Sequence, residues 1–210
     1  MTRRILNSAL AIVLAPASLL LSSCENTPVK DNNSKMVVSV RDQRILLVQS
    51  GKPIKSYKVS TSKFGIGSQY GSNYTPLGDM QIARKIGDGV PAGSVFKSRH
   101  ATGEVLKPNA PGRDAIVSRI MWLNGTEASN KNTFSRCVYI HGTPEEYRLG
   151  TPASYGCIRM GMKDVVDLYN RVGEGAQVKV IRGPLTDTAE GQAYARVHSS
   201  DAAFLHVAKN

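Results

Sequence analysis

The middle of the chain alternates between short apolar runs and polar turns, the pattern typical of an antiparallel β protein. The runs are rich in Val, Ile and Leu, and Gly, Pro, Asp or Ser bound them. They predict strands at 36–40, 45–48, 54–60, 80–86, 116–123, 137–141 and 177–181. The stretch 65–78 contains four glycines and Pro76, which predicts a loop with tight turns.

One segment, Lys163 to Val172, has clear helical spacing. Its apolar side chains recur every three or four residues, and Gly173 follows as a stop signal. A second, marginal helix is predicted near 188–197. The pattern therefore predicts a mainly β domain over residues 36–182 with one packed helix, followed by a C-terminal tail, 183–210, in which we see no chemistry.

The N-terminus has the pattern of a secretory signal. Arg3 and Arg4 precede an apolar stretch from Ile5 to Leu21, and small residues follow. Pro16 and polar interruptions argue against a stable membrane-spanning helix. We therefore predict a signal peptide over residues 1–23 and an exported protein.

The run Leu21-Ser22-Ser23-Cys24 resembles a bacterial lipobox, in which the cysteine receives lipid and becomes the mature N-terminus. Lipidation of Cys24 would make this a membrane-anchored lipoprotein on the periplasmic or cell-envelope face. The alternative is a soluble secretory signal with a chance cysteine. Residues 24–35 contain one large apolar residue, so we predict a tether between membrane and domain.

Composition narrows the classes of protein and partner. Apolar residues make up 41% of the 210, which excludes disorder throughout, and three cysteines cannot staple a chain of this length. The formal charge of +11 favours an anionic partner such as nucleic acid, a membrane surface or an acidic wall polymer. Export and the absence of a basic stripe interleaved with aromatics argue against nucleic acid. No cofactor or metal site is expected, and we expect a monomer.

Candidate chemistry is concentrated between residues 139 and 160. His141 ends an apolar strand, and Cys157 follows sixteen positions later, after Gly156. A thiol becomes a good nucleophile when a neighbouring base removes its proton, and histidine suits that role. Gly156 allows a sharp turn in which consecutive amides point at one spot, as an oxyanion hole requires. The alternative is a buried cysteine and a hydrogen-bonded histidine without catalytic roles.

The segments His141-Gly142-Thr143 and Ser154-Tyr155-Gly156-Cys157-Ile158-Arg159-Met160 resemble the signature of the L,D-transpeptidase family, also called the YkuD domain. The resemblance covers residues 36–182 and implies a β-sandwich-like catalytic domain. It also implies cysteine-dependent transfer on peptidoglycan stem peptides, in cell-wall biogenesis and cell shape. Terminal D-alanine would leave, and an amine acceptor would form a 3→3 cross-link or be attached in another way.

Carried over by position, the resemblance makes Cys157 the nucleophile and His141 the base. The amides of Gly156 and Cys157 would hold the oxyanion, and Ser154 would stabilise the turn. Arg159 would orient the loop or meet a substrate carboxylate.

Gly142, Thr143 and Tyr155 complete the expected substrate-binding group. Many members have histidine at the position of Tyr155, and a phenol with a pKa near 10 cannot act as a base at pH 7. It can donate a hydrogen bond or pack a subsite, so the base role rests on His141.

Three alternatives stay open. The enzyme could be an L,D-carboxypeptidase or related hydrolase, with water replacing the acceptor amine. The domain could also be a non-catalytic wall-binding module. Cys137 could pair with Cys157, but an extended strand would place Cys137 about 13 Å from His141. We therefore expect Cys137 to be a buried free thiol.

Overall fold

The computed structural model describes residues 30–198, so the predicted signal segment and Cys24 lie outside the described residues. The described range contains ten strands and two α-helices. The strands are β1 Ser34–Ser39, β2 Arg44–Gln49, β3 Lys52–Ser60, β4 Gly78–Ile86, β5 Ser94–Lys97, β6 His100–Val105, β7 Ile116–Gly125, β8 Tyr139–Gly142, β9 Ile158–Met160 and β10 Gln177–Ile181. The helices are α1 Met162–Arg171 and α2 Ala189–Val197, and short 3-10 helices cover Glu146–Arg148 and Leu185–Asp187.

The mainly β class predicted from the sequence is confirmed. The strands follow the order β4-β10-β1-β2-β3-β9-β8-β7-β5-β6, and β4 pairs with β7 as well as with β10. Eight strands therefore form a continuous hydrogen-bonded ring, and the β5–β6 hairpin extends from β7. The two layers of the expected sandwich are joined at their edges.

The main core lies inside this ring and includes the buried face of α1. Strand residues such as Met36, Leu47 and Ile140 pack there with Val165 and Leu168 of the helix. The helical spacing in the sequence predicted this face, and the observed helix begins one residue before the predicted start. The predicted helix is thus confirmed, with its apolar stripe facing the sheet.

The N-terminal boundary of the domain is earlier than predicted. β1 begins at Ser34. The Asp31 carboxylate accepts hydrogen bonds from the amides of Gly173 at 2.8 Å and of Asn33 and Ser34 at 3.0 Å. The tether predicted over 24–35 is therefore wrong for residues 31–35, because backbone and carboxylate hydrogen bonds tie them to the domain.

The described part of the predicted tail, residues 183–198, is also part of the domain. Its helix α2 agrees with the marginal helix predicted there. Leu185 is fully buried and Tyr194 is nearly so, and both pack on the outer face of β1 and β2 against Val37 and Leu46. The expectation of a single packed helix is corrected, since this second core needs α2 to cover it.

The hydrophobic pattern does not predict three of the strands, β5, β6 and β9. Every residue of β6 is exposed, so it shows no alternation with a buried face. β5 has four residues and β9 three, too short for a pattern. Within residues 30–198, no helix has both the length and the apolar character needed to cross a membrane.

Candidate active site

The site is built on the two neighbouring parallel strands β8 and β9. Their register pairs Ile140 with Ile158 and His141 with Arg159. Alternate residues of a strand share a face, so His141 and Arg159 lie on one side, and Cys157, just before β9, is in phase with them. Ile140 and Ile158 face the core instead. The apolar residues of the two motifs thus fix the face on which the polar ones meet.

His141 is buried and held in one tautomer. Its Nδ1 lies 2.8 Å from the carbonyl oxygen of Gly142, which can only accept, so Nδ1 carries the proton and Nε2 the lone pair. Burial lowers the pKa of His141 to about 4, against smaller raising effects from that hydrogen bond and from the charge of Asp114. At neutral pH the ring is therefore an uncharged base.

Cys157 sits against the backbone that leads into β8. The amide of Tyr139 donates to Sγ at 3.4 Å, and Sγ lies 3.5 Å from the carbonyl oxygen of Cys137. Burial of the thiol raises the pKa of Cys157 to about 11, while the Tyr139 amide and the charge of Arg136 act in the opposite direction. The resting group at pH 7 is the thiol.

The turn before Cys157 depends on Gly156 and Ser154. Gly156 has φ of +116°, and an added Cβ would lie 3.3 Å from the carbonyl oxygen of Asn73. The Ser154 hydroxyl donates to the Cys157 carbonyl at 2.6 Å and accepts from the Gly156 amide at 3.2 Å. The Gly156 amide thus has a partner within the turn, and the oxyanion role expected of the Gly156 and Cys157 amides stays a prediction.

Arg159 is fully buried and paired with acids of the chain. Its Nη1 lies 2.6 Å from Asp114 Oδ1 and 3.0 Å from Glu145 Oε2. Thr143 joins the same network, since its hydroxyl donates to Asp114 Oδ1 at 3.2 Å. The ion pairs support the orienting role, and Nε and Nη2 of Arg159 have no hydrogen-bond partner within the described residues, so the role of binding a substrate carboxylate stays open as well.

Gly142 is required by close packing. A Cβ at this position would lie 2.6 Å from the carbonyl oxygen of Val117 on the neighbouring strand β7. The carbonyl of Gly142 also fixes the His141 tautomer. Packing at Gly142 and the hydrogen bond of Thr143 to Asp114 help to hold the site in shape, and the substrate contacts expected of both residues stay a prediction.

Two pockets meet at Cys157. The larger, of about 220 Å³, is lined by Cys157, Tyr155, Gly156, Tyr70, Gly71, Asn73, Ser135, Arg136, Cys137 and Val138. The smaller, of about 180 Å³, is lined by Cys157, Tyr155, His141, Ser154, Arg159, Asp114 and Ile116. The predicted nucleophile and base thus share the smaller pocket, and Tyr155 lines both pockets.

The position expected for Cys137 is wrong. β8 begins only at Tyr139, and Cys137 has a left-handed backbone with φ of +55°. This turn brings the Cys137 carbonyl next to Cys157, and Cys137 is half-buried rather than buried. Both cysteines are free thiols, as expected.

Arg136 is a residue of the site that the sequence did not indicate. It lines the larger pocket, where its Nη2 donates to the Tyr74 carbonyl at 2.8 Å and its Nη1 to that of Gly67 at 3.2 Å. It thereby braces the loop that forms one wall and places a positive charge near the thiol of Cys157. No motif spacing identifies such a residue, because its partners are more than sixty positions away in the chain.

Histidines outside the motif lie elsewhere in the fold. His100 is exposed on the β5–β6 hairpin, and His198 stacks on Tyr194 at the end of α2. His206 lies outside the described residues. Among residues 30–198, no group of three His, Cys, Asp or Glu side chains is arranged to hold a metal ion.

Comparison with known families identifies the fold and the motifs together. A model of the YkuD family, described as the L,D-transpeptidase catalytic domain, matches residues 33–180. The chain belongs to this L,D-transpeptidase family. The match covers every strand of the ring apart from Ile181, the last residue of β10, and it includes both motifs of the site.

Individual curated relatives share between a quarter and about a third of their residues with this chain over the matched segments. The Escherichia coli K12 protein named "Probable L,D-transpeptidase YcfS" is 25% identical over 158 residues, covering 74% of this chain and 46% of the relative. "Probable L,D-transpeptidase YbiS" of the same strain is 35% identical over 66 residues, covering 30% of this chain and 22% of the relative. The chain thus spans less than half the length of both curated L,D-transpeptidases.

Solved L,D-transpeptidase structures are also similar. One from Mycobacterium tuberculosis H37Rv has 18% sequence identity and a TM-score of 0.47, covering 71% of this chain and 58% of the other. One from Mycobacterium smegmatis has 16% identity and a TM-score of 0.45, with 71% and 58% coverage.

Proposed function

We propose that the protein is a cysteine-dependent L,D-transpeptidase that acts on tetrapeptide stems of peptidoglycan through an acyl-enzyme. The observation that carries the proposal is the shared pocket of His141 and Cys157, with the His141 tautomer fixed so that Nε2 is the base. Membership of the L,D-transpeptidase family supports the choice of substrate and reaction.

The first half-reaction begins from two uncharged groups. Cys157 Sγ attacks the carbonyl carbon before the terminal D-alanine while its proton passes to His141 Nε2. The raised pKa of the thiol and the lowered pKa of the imidazole mean that a stable ion pair does not form beforehand. Proton transfer therefore accompanies attack, and the Asp114 carboxylate helps to stabilise the transient imidazolium.

Breakdown of the tetrahedral intermediate completes acylation. The C–N bond to D-alanine breaks, and the imidazolium returns its proton to the leaving amine. In the second half-reaction an acceptor amine attacks the thioester and loses a proton to His141, and the released sulfur is reprotonated. The product is a new amide, such as a 3→3 cross-link. Two pockets flanking Cys157 suit a donor and an acceptor that approach from different sides.

Activity of cysteine variants tests the proposal. Purified protein is mixed with a tetrapeptide stem, and D-alanine release and peptide products are followed by mass spectrometry. Cys157→Ser should lose at least about 10³-fold in turnover, because a serine hydroxyl gives up its proton to His141 far less readily than a thiol does. The matched variant Cys137→Ser should keep most activity, since Cys137 has no role in the mechanism.

The products also separate transfer from hydrolysis. Cross-linked peptides indicate a transpeptidase, and free tripeptide alone indicates the L,D-carboxypeptidase alternative. Equal activity of wild type and Cys157→Ser would refute the assignment of the nucleophile. A folded wild type that releases no D-alanine would favour the wall-binding alternative.

We also propose that the protein is exported and anchored by lipid on Cys24, on the periplasmic or cell-envelope face. The support is the basic and apolar pattern before Leu21-Ser22-Ser23-Cys24. Mass spectrometry of the protein from a membrane fraction should show a lipidated cysteine as the first residue, and Cys24→Ala should move the protein out of that fraction. An unmodified mature N-terminus at another residue would contradict the anchor.

A further inference from the structure

An exposed cluster of one cation and two aromatic rings lies beside the larger pocket, which one of the rings, that of Tyr155, lines. We call Lys63, Phe64 and Tyr155 the rim cluster. The rings of Phe64 and Tyr155 are 5.4 Å apart, and Lys63 Nζ lies 4.3 Å from the Tyr155 centroid and 5.1 Å from that of Phe64. Phe64 is 47% exposed and Tyr155 57% exposed, so the cluster faces solvent beside Cys157.

The backbone fixes the rim cluster relative to the nucleophile. The Lys63 amide donates to the Ser154 carbonyl at 3.1 Å, and Ser62 forms a bridge with Ser154. Ser154 in turn hydrogen-bonds the Cys157 carbonyl. Lys63 is therefore tied to the turn that presents Cys157, and it is not a lysine on an independent surface loop.

The ammonium of Lys63 and the hydroxyl of Tyr155 each have hydrogens that are free to donate. Lys63 Nζ donates to the Tyr155 hydroxyl at 3.0 Å, and within residues 30–198 it forms no ion pair. An ammonium has three donors, so two stay available. The Tyr155 oxygen accepts from Lys63, which leaves its own proton to be donated elsewhere. An ammonium and a phenol thus present donors at one spot.

The charges around the larger pocket favour an anion. Its lining contains one charged side chain, Arg136, and no acid. Three of the five N–H donors of Arg136 are used by the carbonyls of Gly67 and Tyr74 and the hydroxyl of Ser72, and Lys63 adds two further cationic donors. The nearest acid of the smaller pocket, Asp114, is paired with Arg159.

We propose that Lys63 and Tyr155 form a recognition site for a free carboxylate of the peptide that occupies the larger pocket. The inference rests on the proposed function and names a feature of its substrate: a stem peptide whose side carboxylates are ionised rather than amidated. Lys63 supplies a charge-assisted hydrogen bond, Tyr155 holds the ammonium and donates a second bond, and Phe64 limits access of water.

Paired substrates test the site. Two tetrapeptide stems are compared, one with free side carboxylates and one with those groups as carboxamides. Lys63→Met should lower kcat/KM for the carboxylate peptide by about 5- to 10-fold through KM, a value reduced for the exposure of the site. The carboxamide peptide should change by less than about 2-fold, and Lys63→Arg should retain most of the preference.

Lys52→Met is the matched control. Lys52 is exposed at the opposite end of β3, about 25 Å along the strand from the active-site end. Its substitution removes the same charge as Lys63→Met. It should not alter the preference for the carboxylate peptide. An equal effect of the two substitutions would assign the change to net charge and overturn the proposed site.

Direct binding separates failure of the site from failure of the proposed function. Both peptides are titrated by calorimetry into Cys157→Ala and into Cys157→Ala with Lys63→Met, which requires no turnover. A preference for the carboxylate peptide that Lys63→Met removes supports the site even if the wild type releases no D-alanine. Absence of that preference in both measurements overturns the site, even if the wild type is an active transpeptidase.

Discussion

The acid limb of the pH–activity profile depends, in the proposed mechanism, on the protonation of His141. Burial lowers the pKa of this imidazole from 6.5 to about 4. At pH 5.5 an imidazole of ordinary pKa is roughly 9% neutral, whereas His141 is about 97% neutral. The free enzyme should therefore keep about ten times more of its base in the active form than an unperturbed histidine would provide.

The assay measures kcat/KM for D-alanine release between pH 3.5 and 8. A stem peptide with carboxamide side groups is used, so that its terminal carboxylate, with a pKa of about 3.5, is the one carboxyl group of the substrate that titrates near the acid limb. We expect a nearly constant value from pH 7 down to about 5.5 and a half-maximum near pH 4. A half-maximum near 6.5 in the folded enzyme would refute the reasoning, because it would mean that the catalytic imidazole is solvated.

Folding stability supplies the matched control for that profile. The unfolded chain binds a proton at His141 near pH 6.5 and the folded chain only near pH 4, so stability falls as the pH drops through this window. The loss attributable to His141 is at most about 3 kcal/mol. Chemical denaturation of wild type and His141→Gln at pH 7 and pH 4.5 should show this loss of unfolding free energy in the wild type alone. The stability that remains at pH 4.5 shows whether unfolding limits activity at that pH.

Three substitutions test the framework around the site by chemical denaturation. Arg159→Met leaves the carboxylates of Asp114 and Glu145 without their buried partner, and it should cost about 2–4 kcal/mol and lower turnover; unchanged stability would refute the orienting role. Gly142→Ala places a Cβ 2.6 Å from a backbone carbonyl of the neighbouring strand, and about 2 kcal/mol should be lost. Leu185→Ala opens the fully buried outer core and should cost about 2–4 kcal/mol, whereas no loss would show that residues beyond 182 are dispensable.

Strong local patterns made much of the fold predictable. The strands with β-branched runs and the amphipathic helix α1 each carry their periodicity within a few residues. The β5–β6 hairpin does not, since it projects from the ring with no buried face on β6. The sequence pattern also does not predict the outer core under α2, because its main contacts come from two separated side chains, Leu185 and Tyr194.

Local motifs predict some residues of the candidate site but not others. Cys157 and His141 stand in two compact motifs, and the parallel pairing of β8 and β9 brings those motifs together. Arg136 and Lys63 act through partners far away in the sequence, so no spacing identifies them. The occupied amide of Gly156 was also unpredictable, since it depends on the orientation of one serine hydroxyl.

Intact-mass spectrometry tests the central claim, an acyl-enzyme on Cys157, most directly. The protein is mixed with a tetrapeptide stem in the absence of an acceptor amine and quenched in acid. We predict a mass increase equal to the substrate minus D-alanine, located on the peptide that contains Cys157 after digestion, and absent from Cys157→Ala. Release of D-alanine with no adduct, or an adduct on another residue that persists in Cys157→Ala, would contradict the account.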